Sequence, residues 1–416
     1  MKYSKEFIAY WDRIVIRNIA GKMWLIDPQI SYCNENAIIL ESDIKCTLNH
    51  KASIPDNIVQ QIFEEFLKIN DKANFTNKRN LSKPNSNDIY PWKVGIELTG
   101  QCNFDCIHCY AKPLQGKKEP SFDSLINLLD NLCDSGVLFL WFTGGECTLR
   151  KDFIDIYTYA KRKGFVVSIV TNGSFIPKVV ATFNKYPPKM IKVSQYGSSE
   201  EEYIQITGSA NNYNKFLNGI DALSRNNLNF VIQTVLLKEN YSSLNAMRRF
   251  CNKMNSQHNI NPVMAHTLDG NSAPKEHEIE PECLDKFIFS EKKIINLKKI
   301  FDSEKEFRKE LIDKGEHFCN VGISECFISL DFKIHFCVMF REKYVDYRHE
   351  VPFKDQFQKL NEYRKETLAL DAECKKCNCL PLCHTCPYYK EVYKKDSTLE
   401  LKCLETKKMY DLVVSN

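Results

Sequence analysis

Eighteen cysteines, gathered mostly into two tight groups, constrain this 416-residue chain more than any other feature. Cys102, Cys106 and Cys109 share one short segment, ELTGQCNFDCIHCYAK. Nine more lie between residues 319 and 403, and five of those fall between Cys374 and Cys386. The first residues, MKYSKEFIAYWDR, lack the apolar stretch of a signal peptide. The chain is therefore expected in the cytoplasm, where thiols stay reduced and a disulfide framework is not expected. Clustered cysteines in that setting read as metal ligands. Composition adds exclusions only. A net charge of +4 gives no case for nucleic acid, and no run of about 20 apolar residues offers a membrane span.

Patterning divides the chain into three expected parts. Residues 1–85 read as a small N-terminal α+β domain with its linker. Short β-like runs, MWLIDPQI and NAIILES, precede the amphipathic stretch IPDNIVQQIFEEFLKIND. Ile58 or Val59, Ile62, Phe63, Phe66 and Leu67 share one face of that helix, and Asp56 is placed to cap it. The polar stretch 71–88 reads as the linker. Residues 86–310 alternate strand and helix. Strands are expected at 92–98, 138–143, 166–171, 190–195, 230–237 and 262–266, and helices at 121–135, 152–163, around 213–224 and at 242–254. This rhythm implies an α/β fold with a parallel sheet, and six such units suit an incomplete barrel as well as an open sheet. Residues 275–315 read as a charged, solvated helical face. Residues 311–416 lose regular periodicity and form a Cys-rich C-terminal domain held together by metal.

In parallel α/β folds chemistry gathers at the C-terminal ends of the strands. Cys102 to Cys109, Gly144 to Glu146 and Asn172 with Gly173 each follow one of the first three strands. The spacing C-x3-C-x2-C places three soft thiolates on one short loop, which suits an iron–sulfur cluster. Three ligands on four irons leave one iron open to a small molecule. A zinc site completed by His108 is the alternative.

The spacing, placed after the first strand, resembles the signature of the radical S-adenosylmethionine (radical SAM) superfamily. The resemblance implies a partial (β/α)6 TIM-like barrel, with His108 packing near the adenine of S-adenosyl-L-methionine. Gly144, Gly145 and Glu146 resemble the family's GGE motif, which implies binding of the methionyl amine. Asn172, Ser194 and Gln195 stand where ribose and carboxylate contacts fall in that family. Cys147, directly after Glu146, reads as a packed thiol. The implied chemistry is one-electron cleavage of S-adenosyl-L-methionine to a 5′-deoxyadenosyl radical that abstracts hydrogen from substrate.

The C-terminal thiols run Cys319-x6-Cys326-x10-Cys337, then CKKCNCLPLCHTC, then Cys403. A zinc ribbon separates its Cys pairs by a dozen residues or more, whereas five separate Cys377 from Cys383. The pattern resembles a SPASM domain, which implies two auxiliary 4Fe–4S clusters and three in the whole chain. Cys319, Cys326, Cys337 and Cys386 would hold the first auxiliary cluster, and Cys374, Cys377, Cys383 and Cys403 the second. The sequence departs from the family in having two residues, not three, before Cys386, and Phe332 where a Gly is usual. Cys379 has no role in the pattern, and Cys33, Cys46, Cys133, Cys251 and Cys283 read as packed side chains.

SPASM enzymes act mostly on peptides. The order of elements in residues 1–85 resembles the peptide-recognition domain of ribosomal-peptide maturases, which captures a leader as an added edge strand. The resemblance implies an enzyme that installs a thioether or carbon–carbon crosslink in a ribosomally made precursor peptide. It further implies an external one-electron donor of flavodoxin or ferredoxin type. An anaerobic sulfatase-maturing enzyme and a non-enzymatic iron–sulfur sensor are the alternatives. No general base is legible in the sequence.

Overall fold

The computed structural model describes residues 89–262, 264–280 and 319–380, together with 11, 14–19, 22–26, 37–40, 58–64, 283, 308–310, 312–315, 383, 403, 406–407 and 410–411. The expected linker, Phe66, Leu67, Cys33, Cys46, most of the charged stretch 275–315 and Cys386 lie outside these residues.

Three antiparallel strands come first: β1 (Val15–Ile19), β2 (Lys22–Ile26) and β3 (Ala37–Leu40), in the order β1-β2-β3. Residues 58–64 are helical, with Ile58 and Ile62 buried as their spacing requires. Six parallel strands follow: β4 (Lys93–Thr99), β5 (Phe139–Gly144), β6 (Val166–Thr171), β7 (Met190–Gln195), β8 (Phe230–Val235) and β9 (Gln257–Asn261). They are linked by helices α1 (Phe122–Asp134), α2 (Phe153–Arg162), α3 (Ile176–Lys185), α4 (Glu200–Thr207), α5 (Asn211–Arg225) and α6 (Leu244–Lys253). Parallel strands need such crossovers. The architecture is an α/β partial barrel.

Alternation along each strand sorts the side chains. Val94, Ile96 and Leu98 of β4 are essentially unexposed and pack with Leu125, Leu128 and Leu132 of α1. The helix takes its start from Ser121, whose hydroxyl accepts from the Ser124 N–H at 3.2 Å. The other parity of β4 faces inward. There Gly95 makes room for the Trp141 indole, whose ring lies 5.3 Å from that of Phe327. A Cβ on Gly95 would fall 2.2 Å from that indole.

Three expectations are corrected. The sixth strand is Gln257–Asn261, not the apolar 262–266. Its QHNIN sequence is polar because β9 ends the sheet, so no hydrophobic period marks it. Helices α3 and α4 fill connections that the sequence left open. The C-terminal region is also more regular than its sequence suggests. It forms β10 (Glu325–Ile328), β11 (Lys333–His335), β12 (Tyr344–Asp346) and the long helix α7 (Phe353–Thr367). β10 pairs in parallel with β4, giving one nine-stranded sheet in the order β12-β11-β10-β4-β5-β6-β7-β8-β9. The turn between β10 and β11 holds Phe332 at φ 54°, which accounts for the Gly usual there. Its ring stacks on Tyr347 at 5.7 Å.

The N-terminal sheet packs on the end of the barrel where strands begin. Trp24 and Ile26 of β2 meet Leu138 and Val166, with Trp92 and Phe139 alongside. Arg17 of β1 is 1% exposed and donates to Cys133 O at 2.9 Å and Val137 O at 2.7 Å, lying 5.0 Å over the Phe165 ring. A buried guanidinium is tolerable only with such partners. Arg17→Ala leaves those carbonyls without it and should destabilise the fold by about 3 kcal/mol. Equilibrium denaturation checks this, together with faster proteolysis of residues 1–85. Among the described residues no helix is long and apolar enough to cross a membrane.

Candidate active site

The loops after β4, β5, β6, β7 and β8 meet at the end of the barrel away from the N-terminal sheet. The loop after β4 carries Cys102, Cys106 and Cys109. Its backbone is pinned to α4, with the Asp105 N–H donating to Thr207 O at 3.2 Å and the Ile107 N–H to Ile206 O at 3.0 Å. A tight turn, Cys109 N–H to Cys106 O at 3.1 Å, brings two of the thiols to one side. Burial pushes the Cys102 thiol up to about 11, while the Phe104 N–H, 3.5 Å from its sulfur, opposes the rise. Burial pushes Cys106 and Cys109 up as well, and the neighbouring Cys109 and Cys102 thiols add to the rise at Cys106.

Gly144 and Gly145 lie directly against this loop. The Gly145 N–H donates to Thr99 O at 2.9 Å and the Glu146 N–H to Gln101 O at 2.8 Å. A Cβ on Gly145 would fall 2.3 Å from Gln101 O, and one on Gly144 2.2 Å from Thr99 O. The glycines are thus required by the backbone of the cysteine loop. Glu146 is fully buried. Its Oε1 accepts from the Thr148 N–H at 3.1 Å and the Thr171 hydroxyl at 2.8 Å, and its Oε2 from the Asn172 N–H at 2.6 Å. Burial raises its pKa and these donors oppose the rise. The carboxylate therefore ties the end of β5 to the end of β6.

Asn172 links the third loop to the first. Its Nδ2 donates to Asn103 Oδ1 at 3.0 Å and lies 3.9 Å from Cys102 Sγ. Ser194 faces inward beside the Tyr196 hydroxyl. Gln195 does not join them. It is 1% exposed, accepts from Thr234 Oγ1 at 3.1 Å, and faces Cys251 of α6. It shares the parity of Ile191 and Val193, so the strand turns it toward the helices. Tyr196 is a site residue that sequence reasoning missed. Its ring lies 5.4 Å from that of His108, and its hydroxyl lies beside Cys106. His108 Nδ1 is buried with no hydrogen-bond partner among the described residues, and burial pushes the imidazole down to about 4. Cys147 is buried and donates to Val170 O at 3.4 Å, a packed thiol as expected.

The C-terminal thiols are only partly brought together. Cys319 and Cys337 act on one another electrostatically, and the Phe340 N–H lies 3.3 Å from Cys337 Sγ. Cys326 is 3% exposed on the parity of β10 that packs into the core. Cys374 and Cys377 share a turn, with the Cys377 N–H donating to Cys374 O at 3.0 Å, and Cys379 lies beside Cys377. Cys383 and Cys403 are described singly, and Cys386 lies outside the described residues. The barrel is joined to this region by Glu97, whose carboxylate pairs with both terminal nitrogens of Arg341 at 2.7 and 3.1 Å.

The donor set fits an iron–sulfur cubane. Among the described residues no group of three or more His, Cys, Asp or Glu side chains is arranged to hold a single metal ion. The unpartnered His108 nitrogen beside the three thiols is a polar position that a bound nucleoside could satisfy.

Residues 96–251 match the family model described as Radical SAM superfamily, and the chain carries that domain. Among curated relatives, Fe-coproporphyrin III synthase of Methanosarcina barkeri is 38% identical over 86 residues, which is 20% of this chain and 22% of that one. The chain spans less than half the length of the curated relatives it matches. Among solved structures, Streptococcus suis SuiB bound to precursor peptide SuiA aligns with a TM-score of 0.60 at 15% identity, covering 92% of this chain and 96% of that one. Native anSMEcpe with bound AdoMet aligns at 0.55 and 17% identity, covering 77% of this chain and 96% of that one. At these identities the structures establish a shared fold.

Proposed function

We propose, from the radical SAM domain carried by residues 96–251, that this chain is an enzyme that modifies a peptide. Cys102, Cys106 and Cys109 hold a 4Fe–4S cluster. That cluster, with S-adenosyl-L-methionine, would supply a hydrogen-abstracting radical. His108 and Asn172 position the nucleoside, while Gly144, Gly145 and Glu146 fix the mouth on which it rests. The observation that carries this reading is the hydrogen-bonded union of three strand-end loops, through Gly145, Glu146 and Asn172, around the thiol loop. Such preorganisation is what a radical site needs to exclude side reactions.

Cys319, Cys326, Cys337 and Cys386 are assigned to one auxiliary cluster, and Cys374, Cys377, Cys383 and Cys403 to a second. Residues 1–85, 86–310 and 311–416 act as recognition, core and auxiliary units. Two observations favour a crosslinking maturase acting on a precursor peptide. The SuiB fold, solved with a precursor peptide, extends over 92% of the chain, and the N-terminal sheet has β3 as an outer strand. A formylglycine-forming enzyme is the second reading, favoured by the anSMEcpe fold over 77% of the chain. The electron donor is a flavodoxin or ferredoxin type protein, and the setting is the cytoplasm.

Anaerobic reconstitution tests the assignment. Three clusters give about 12 iron per chain, with 5′-deoxyadenosine formed on reduction. No iron and no cleavage would overturn it. Incubation with a candidate precursor peptide separates the readings. Loss of two hydrogens from the peptide's mass supports a crosslink, and a formylglycine mass shift the second reading.

A further inference from the structure

Beyond β8 and β9 two side chains meet at the same mouth. Glu239 follows β8, and His277 ends a 3-10 turn, Ala273–His277. His277 Nδ1 lies 2.6 Å from Glu239 Oε1, and the side chains are 25% and 13% exposed. Their positions are fixed by backbone. The Lys238 N–H donates to His277 O at 3.0 Å. Asn240 accepts from the Leu237 N–H at 2.8 Å and donates to Tyr196 O at 2.9 Å. The loop of Glu239 is thereby fastened to the loop of Tyr196, whose ring lies 5.4 Å from that of His108, and His277 is near enough to act electrostatically on His108.

A pair that served structure alone would have its polar atoms satisfied. Here Glu239 Oε2 is buried without a hydrogen-bond partner among the described residues. His277 Nε2 makes no hydrogen bond with the described residues. The carboxylate on Nδ1 selects the tautomer protonated there and leaves Nε2 as an acceptor. The other charges nearby are paired elsewhere, Lys238 with Glu280 at 3.1 Å and Lys275 with Glu278 at 3.7 Å.

We propose that the Glu239–His277 pair is the proton acceptor for the reacting peptide, with Nε2 taking the proton and Glu239 stabilising the imidazolium. This rests on the crosslinking reading above. Joining a peptide carbon to a heteroatom breaks one C–H and one X–H bond and forms one C–X bond. One hydrogen leaves as an atom to the radical from S-adenosylmethionine. The other leaves as a proton to His277, and the remaining electron passes to an iron–sulfur centre.

The test compares wild type with His277→Gly, using a precursor peptide that the wild type crosslinks. Iron content, 5′-deoxyadenosine and the peptide minus two hydrogens are all measured. The variant should keep its iron and still form 5′-deoxyadenosine, while crosslinked product falls by about a hundred-fold. Added imidazole should restore part of it, which a merely structural role would not allow. Should the Gly variant lose iron, His277→Gln, which fills the same space, decides. Product at the wild-type ratio to 5′-deoxyadenosine, or a loss that imidazole leaves untouched, overturns the proposal. Absence of 5′-deoxyadenosine from wild type would instead overturn the reading beneath it.

Discussion

Replacing Cys102, Cys106 and Cys109 together by Ala should abolish 5′-deoxyadenosine formation while leaving iron at the C-terminal thiols. The loop that carries them is held by backbone contacts to α4 and by the GGE turn, none of which involves a thiol. The variant should therefore fold. Its denaturation midpoint should stay close to that of the wild type, because Ala fits where a small thiol packed. Iron should fall by about 4 per chain, the content of one cubane. The measurement is iron by chelation assay beside cofactor cleavage by mass spectrometry. Cleavage persisting in the triple variant would show that the loop is not the site.

Gly145→Ala should cost nearly as much without touching a ligand. The added methyl would sit 2.3 Å from Gln101 O, adjacent in sequence to Cys102. A backbone atom cannot swing aside as a side chain can, so the whole thiol loop must shift. Misplacement of about 1 Å in a preorganised site costs about a hundred-fold in rate. The yield of 5′-deoxyadenosine should fall by that order while iron content is retained, because the three thiols move together. An unchanged yield would mean that the contact between the two loops does not govern the chemistry.

Local motifs carried most of the barrel mouth into view from the sequence alone. Cys102 to Cys109, Gly144 to Glu146 and Asn172 are short segments read without knowing what they touch. Gln195 was misplaced although its parity with Ile191 and Val193 already turned it outward. Tyr196 and the Glu239–His277 pair were not legible, because each depends on contacts between distant loops. Arg17 lay hidden for the same reason, its partners being more than a hundred residues away. β9 escaped because a polar edge strand has no hydrophobic period. β10 escaped because a four-residue strand among cysteines carries too little pattern to be seen.

The pairing of β10 with β4 has a consequence for how the protein can be handled. Backbone groups of Lys93 to Ile96 are covered by Glu325 to Ile328. A chain cut after residue 310 would present that ladder bare, flanked by Val94 and Ile96, which is the kind of edge that recruits strands from other copies. The barrel therefore cannot be trimmed to a minimal soluble catalyst by removing its cysteine-rich end. Oxidative damage that unravels the C-terminal region would be expected to surface first as precipitation.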